Sequence, residues 1–377
     1  MTVSRKDWCR ICSRSWYFLD IDKYIKYDFI KSEFGKGKIG LEDIHGLGDL
    51  RWFTPSGSLR SLIGSSAKVS KAVSDNTGTP ARIGQMFLSP ARECFRPSED
   101  FFPTEGNGWR AGSANDRRFF GLDVYEDTST FVRPNHFGLQ AKPKMTFLTM
   151  CAYSSKCQFT CLLETGNIKL DTSARSRYCK TWFWLTEPLA FLRLLLCEIM
   201  IHSRKSHHMG MQSYFRLNGL SDVFWENYLD IELMARNIVG FGGLYDYTKA
   251  PLDRRGDIKP HVYHLTYSWD EKKNAERNSL EYLKVGHSVS MVVPSEKKKK
   301  PKELVELLES EDFVVDGDLH DGRFSDPSHG IVLLRNKGNL RTDTHLGVKN
   351  ERQIDLITPT SIVKKFANRI KSLLDYK

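Results

Sequence analysis

Apolar and polar residues keep no lasting rhythm over the first 140 positions and settle into a regular one after about Lys144. In the first stretch, short fragments such as Trp16–Leu19, Gln85–Leu88 and Arg118–Tyr125 read as strand-like or helical. Gly-, Ser- and Pro-rich runs, among them Gly64–Pro80 and Pro97–Asn115, separate them. Loops of that length are uncommon inside a compact domain, which predicts an irregular N-terminal region with insertions over residues 1–140. After Lys144 the pattern predicts a strand at Met145–Met150, a cysteine-bearing loop, and a long helix opening near Thr186, where Thr, Glu187 and Pro188 form a start signal. Leu189, Leu192, Leu195, Leu196, Ile199 and Met200 supply that helix with one apolar stripe.

Strands are then predicted at Tyr214–Asn218, Gly243–Tyr247, Val262–Ser268, Ser288–Val293, Phe313–Val315 and Ile331–Leu334. Helices are predicted at Asp222–Ile238, Asp270–Leu283 and Pro301–Leu308, with Asp222 and Asp270 as cap candidates. Strands alternating with helices mean right-handed βαβ units and a parallel sheet. The expected fold class is α/β, a partial or complete parallel β/α barrel over residues 141–350. Residues 351–377 are expected to hold a C-terminal amphipathic helix, Ser361–Tyr376, burying Ile362, Phe366, Ile370, Leu373 and Leu374.

Composition sharpens this picture in two places. The 377 residues are 40% hydrophobic and 27% charged, which is globular and excludes a disordered or collagen-like chain. Lys plus Arg exceed Asp plus Glu by 56 to 46, a surface that favours polyanions. The most apolar stretch, Leu189–Ile201, carries Arg193 and Glu198 and is short of the roughly 20 residues a membrane span needs. The basic start lacks an apolar leader core. The expectation is a cytoplasmic protein without a membrane partner, whose eight cysteines are thiols or metal ligands rather than a disulfide framework.

In parallel α/β sheets the ligand site forms at the carboxyl ends of the strands. Those ends are polar here: Arg216, Asn218, Ser221 and Asp222 after one strand, Tyr247 and Lys249 after the next, then His264, Thr266 and Ser268, then Asp316, Asp318, His320, Asp321 and Arg323. They are expected to meet at one mouth. Lys249 suits a phosphate or carboxylate, and His264 or Asp318 suits general acid–base work if burial brings its pKa near neutrality. Arg216, Asn218, Asp222, Tyr247, Asp316, Asp321 and Arg323 are candidate substrate-binding residues.

Cys151, Cys157 and Cys161 give C-x5-C-x3-C directly after a predicted strand. Three thiolates this close can hold an iron–sulfur cluster with one open iron, or zinc with a fourth ligand, or they can be packed core thiols. Cys9 and Cys12 form a lone C-x2-C without a second pair, and Cys94, Cys179 and Cys197 read as structural. The run Lys297–Lys300 reads as a solvated loop, as do His207 and His208 beside Arg204 and Lys205. Asp316-Gly-Asp318 does not continue as a calcium loop, and no P-loop, G-x-G-x-x-G or G-x-S-x-G is present.

The ordered blocks Arg216-Leu-Asn-Gly-Leu-Ser-Asp222, Trp225-Glu226, Tyr245-Asp-Tyr-Thr-Lys249, Tyr263-His-Leu-Thr266 with Ser268, and Asp316-Gly-Asp318 with Asp321 and Arg323 resemble one family. It is the uncharacterised phage and plasmid family called gene product eighty-eight. Upstream, Cys151, Cys157, Cys161, Arg175 or Arg177, and Lys180-Thr181 look like the family's cysteine, arginine and Lys-Thr positions, and the likeness spans about Met145 to Gly338.

The resemblance implies a partial α/β barrel of the radical S-adenosylmethionine type, with an iron–sulfur cluster on the three cysteines and S-adenosylmethionine as a possible co-substrate. Two features differ from that enzyme class: its cysteine spacing is C-x3-C-x2-C, and Asn218-Gly-Leu-Ser-Asp222 stands where it has Gly-Gly-Glu. The resulting expectation is a phage- or plasmid-type cluster enzyme acting on a nucleotide or nucleic acid, in the host cytoplasm if phage-encoded. The alternative is a non-redox nucleic-acid-binding protein of phage or plasmid replication, with zinc or packed thiols in place of the cluster.

Overall fold

The computed structural model describes residues 21–34, 62–64, 73–88, 150, 151, 153, 173, 177, 180, 181, 184, 188–270, 272–295, 299–336 and 357–374. The expected strand Met145–Met150 therefore falls outside them except at Met150, as do Cys157, Cys161, Cys9, Cys12, Cys94 and Cys179. Six helices are described: α1 Tyr27–Phe34, α2 Pro188–His207, α3 Ile231–Asn237, α4 Ala275–Lys284, α5 Lys302–Ser310 and α6 Thr360–Leu374. Eight strands are described: β1 Val73–Ser74, β2 Pro80–Gln85, β3 Gln212–Arg216, β4 Phe241–Thr248, β5 Tyr263–Ser268, β6 Ser288–Val293, β7 Val314–Asp316 and β8 Ile331–Arg335.

The strands form one sheet in the order β1-β2-β3-β4-β5-β6-β8-β7. Only β1 against β2 is antiparallel; all other described pairs are parallel. Helices of the βαβ units cover the outer face. The apolar stripe of α2, with Leu192, Leu195, Leu196 and Ile199 buried, shares a core with Phe215 and Leu244 of the sheet, and Trp184 and Trp225 close one end of it. Cys197 is buried in α2, as its apolar surroundings suggest.

The inner face is filled by the chain itself. The connection from β7 to β8 carries Phe324, whose ring stacks flat on Tyr214 of β3 at 3.7 Å and meets Tyr245 of β4 edge-on. From the same connection, Asp321 reaches Gln85 at the end of β2. A segment borne by the last strands thus touches the second, and the sheet is curled into a half-barrel with the connection as its filling. Of the two expected forms, the described residues make the partial barrel.

A local device in β4 makes room for this packing. The register against β3 passes from Ser213 opposite Phe241 to Tyr214 opposite Gly243, so Gly242 is the extra residue of a bulge. A Cβ on Gly242 would lie 2.5 Å from the Tyr214 ring, and Gly243 has a φ of +146°, open to glycine but strained for other residues.

Several sequence expectations are corrected. The long helix Asp222–Ile238 is broken into a short turn at Trp225–Asn227 and the seven-residue α3, because the Asp222 carboxylate is drawn into contacts with β4 and Asp230 caps α3 instead, accepting from Leu233 N–H. Asp270 does not cap α4, which starts at Ala275 after Asn274; Asp270 accepts from the Lys272 N–H instead. In α6 the buried residues are Val363, Phe366, Ala367 and Ile370, whereas Ile362 and Leu373 are exposed. One more change concerns the lysine run: Lys300 is not solvated but paired between Asp316 and Asp318. The sequence pattern also left β1 unmarked and set a fragment at Gln85–Leu88 where the strand β2 is Pro80–Gln85, since the buried apolar residues of β2, Ala81 and Ile83, are too few to mark a strand. No described helix is long and apolar enough to cross a membrane.

Candidate functional site at the carboxyl ends of the strands

Alternate residues of a strand point to opposite faces, and this divides the polar strand ends into separate groups. Asp246, Thr248 and Tyr263 face the helix side. There Asn218, just beyond β3, ties the loop together: its N–H donates to Asp246 Oδ1 at 2.7 Å, its Nδ2 donates to the Val223 carbonyl, and its Oδ1 accepts from Ser221, Val223 N–H and Trp225 Nε1. Asp222 Oδ2 accepts from Thr248 Oγ1 and Lys249 N–H at 3.1 and 3.0 Å. Arg255, fully buried, sets its Nη1 3.2 Å from Asp222 and its Nε 2.6 Å from Glu226. Burial raises the pKa of both carboxyls, and Arg255 opposes the rise. Asp246 also accepts from the Tyr263 hydroxyl at 2.9 Å, and burial lifts its pKa to about 7 against the pull of its hydrogen bonds from Asn218 and Tyr263 and of the Arg216 and Arg255 charges.

The cysteine segment docks on this network. Met150 accepts from Asp222 N–H at 2.6 Å, the Cys151 thiol donates to the Leu220 carbonyl at 3.1 Å, and Lys272 Nζ donates to the Tyr153 carbonyl at 2.9 Å. The Tyr153 ring stacks on Phe224, whose ring also meets the Arg255 guanidinium at 4.3 Å. Cys151 is partly exposed there. Nearby, Lys249 Nζ donates to the Ser268 carbonyl at 3.3 Å, linking the ends of β4 and β5.

A second group lies on the inner face. Arg216, the last residue of β3, contacts both Asp321 oxygens, and its guanidinium lies 4.8 Å from the Tyr247 ring centre. Burial acts to lower the Arg216 pKa, but Asp321 and Tyr247 outweigh it and the charge is held firmly. Arg323 is wholly buried beneath, 3.1 Å from Asp326 and bonded to the His320 carbonyl. His264 is the second residue of β5, toward the amino ends. Its Nε2 shares a 3.0 Å hydrogen bond with Ser288 Oγ, and burial followed by the Arg323 charge pushes its pKa down to about 4.

Asp316 and Asp318 form a third group at the far edge, with Lys300 Nζ 2.7 and 2.6 Å away and Arg335 N–H on Asp318. The structure therefore brings Arg216, Tyr247, Asp321 and Arg323 together. It gathers Asn218, Asp222 and the backbone of Lys249 near Cys151, and it sets Asp316, Asp318 and His264 apart. Among the described residues, no group of three or more His, Cys, Asp or Glu could hold a metal ion.

Sequence reasoning missed Gln85, Asp246, Arg255 and Lys300. Asp246 carried a signal, a lone acid between tyrosines inside a strand; Gln85, Arg255 and Lys300 carried none, because their partners lie 236, 29 and 18 positions away.

Neither a curated protein nor a solved structure matches the chain. The family model described as Gene product 88 matches residues 111–351, well over half of the 377, and the chain belongs to that family.

Proposed function

We propose that this phage-type protein is an enzyme whose working site is the carboxyl rim of the half-barrel, with a metal cluster on Cys151, Cys157 and Cys161 and an anionic substrate of the nucleotide or nucleic-acid class. The observation that supports it is the anchoring of Met150, Cys151 and Tyr153 onto the loop leaving β3 and onto Lys272 beyond β5. That is the end of a parallel sheet at which ligands bind in this class of architecture. The donor set fits: three thiols are the ligand chemistry of iron–sulfur clusters and of zinc, and Cys151, the one of the three among the described residues, is at the rim and partly exposed.

When bound, an iron–sulfur cluster would supply one-electron chemistry and an open iron. The chain's own residues do the rest. Arg255 holds Asp222 and Glu226, and the Asp222 N–H donates to the Met150 carbonyl, so the backbone leading into Cys151 is set by a buried network. Lys249 and Arg216 place cations at the rim, suited to phosphate oxygens. Asn218 shapes the loop, its Oδ1 accepting three hydrogen bonds and its Nδ2 donating to the Val223 carbonyl.

Reconstitution with iron and sulfide in the absence of oxygen tests the reading. About four irons per chain are expected for the wild type, and none for the Cys151→Ala, Cys157→Ala, Cys161→Ala triple variant. A wild-type chain with neither iron nor sulfide would end the iron form. The second reading, nucleic-acid binding without redox chemistry, is favoured by the net charge of +10 and by exposed Arg204, Lys205, His207 and His208 at the end of α2. It predicts affinity for single-stranded DNA that falls steeply with salt.

A further inference from the structure

The inner face at the ends of β2, β3 and β4 is built asymmetrically. On the strand side stand Gln85, Arg216 and Tyr247. Gln85 is buried, the Arg216 side chain is 13% exposed, and the Tyr247 ring lies beneath the guanidinium. Facing them is one carboxylate, Asp321, carried by the β7–β8 connection and 31% exposed. Gln85 Nε2 donates to its Oδ2 at 2.6 Å, and Arg216 Nη1 reaches its Oδ1 and Oδ2 at 3.1 and 3.0 Å.

Asp321 does not complete the arginine. The Arg216 Nε is buried without a hydrogen-bond partner, and a buried guanidinium N–H is not left without an acceptor at no cost. A forked cation on an aromatic floor, with an amide donor beside it, is suited to planar or tetrahedral oxyanions. A free oxyanion, carboxylate or phosphate, can turn an acceptor toward the Nε that the chain-tethered Asp321 carboxylate leaves open.

We propose that Gln85, Arg216 and Tyr247 form an oxyanion site for the phosphate or carboxylate of the substrate, and that Asp321 is its built-in occupant, displaced when the ligand binds. The inference rests on the reading of the carboxyl rim as the substrate site and adds to it a ligand group and a self-blocking contact. Displacement moves the connection that carries Phe324 and Arg323, so ligand entry is coupled to the packing of the inner face.

Isothermal titration with inorganic phosphate and with succinate, on the chain without iron, tests the proposal. Asp321→Ala is expected to bind one of the two about tenfold more tightly than the wild type, a change of about 1.4 kcal/mol. Preference for phosphate names a phosphate ligand, and preference for succinate a carboxylate. Adding Arg216→Gln removes the increase, and adding Gln85→Ala, a neutral change at a strand end, reduces it severalfold; circular dichroism confirms that each variant is folded. The proposal is overturned if Asp321→Ala binds neither anion more tightly than the wild type, or if the increase survives both second substitutions. Because iron is absent from the titration, failure here leaves the cysteine site standing, and an iron-free protein leaves this result standing.

Discussion

Asp246 shows how one residue reports on the network around it. Its folded pKa of about 7 lies above the ordinary carboxyl value of 3.8, raised by burial. The folded chain therefore keeps a proton that the unfolded chain releases between about pH 4 and 7. Its contribution to stability is complete below that window and is lost as pH rises through it. Asp246→Asn cannot titrate, so urea unfolding from pH 4 to 8 should show the stability gap shifting in the variant's favour by up to about 4 kcal/mol; a gap constant with pH would mean that Asp246 stays ionised. Arg255 is the second such residue. Replacing it with Ala leaves Asp222 and Glu226 buried without their cation, and about 3–5 kcal/mol of stability is expected to go, read as a lower urea midpoint at unchanged slope. At this scale the sequence was only partly legible. Arg216, Tyr247, Asp321 and Arg323 could be read from their places after strands, but which face each would take depended on pairing register, and Gln85 was read as the start of a fragment when it is the last residue of β2.

At the scale of elements, the strands of the second half of the chain were legible because β-branched and aromatic runs bounded by turns repeat between amphipathic helices. Boundaries slipped where side chains answer to distant partners: Asp222 is pulled out of a helix by Thr248, Lys249 and Arg255. The bulge in β4 was not legible, since a Gly-Gly pair inside a strand signals room for something without saying what. The structure answers with the Tyr214 ring, stacked in turn on Phe324. Gly242→Ala should therefore force that ring away and loosen the β7–β8 connection, at about 1–3 kcal/mol. Thermal unfolding checks the cost, and faster proteolysis near Phe324 checks the location; an unchanged melting temperature would show that Tyr214 moves freely.

Over the whole molecule, the two faces of the half-barrel have different tasks. The outer network of Asn218, Asp222, Glu226, Asp246 and Arg255 is dense and buried, and it holds the loop on which Cys151 sits. The inner face ends in cations and a filling segment that reaches back across the sheet. Family membership was legible from the order of blocks along the chain, whereas the separation of Asp316, Asp318 and His264 from the rest was not, because spacing along a sequence does not give the direction of a strand's faces. The central claim is that the rim bearing Cys151 holds a cluster. Its most direct test is the iron and sulfide content of the wild type and of Cys151→Ala after anaerobic reconstitution and desalting. The account predicts about four irons in the wild type and loss of most of them in the variant; a variant that keeps the full content, or a wild type that holds none, would contradict it.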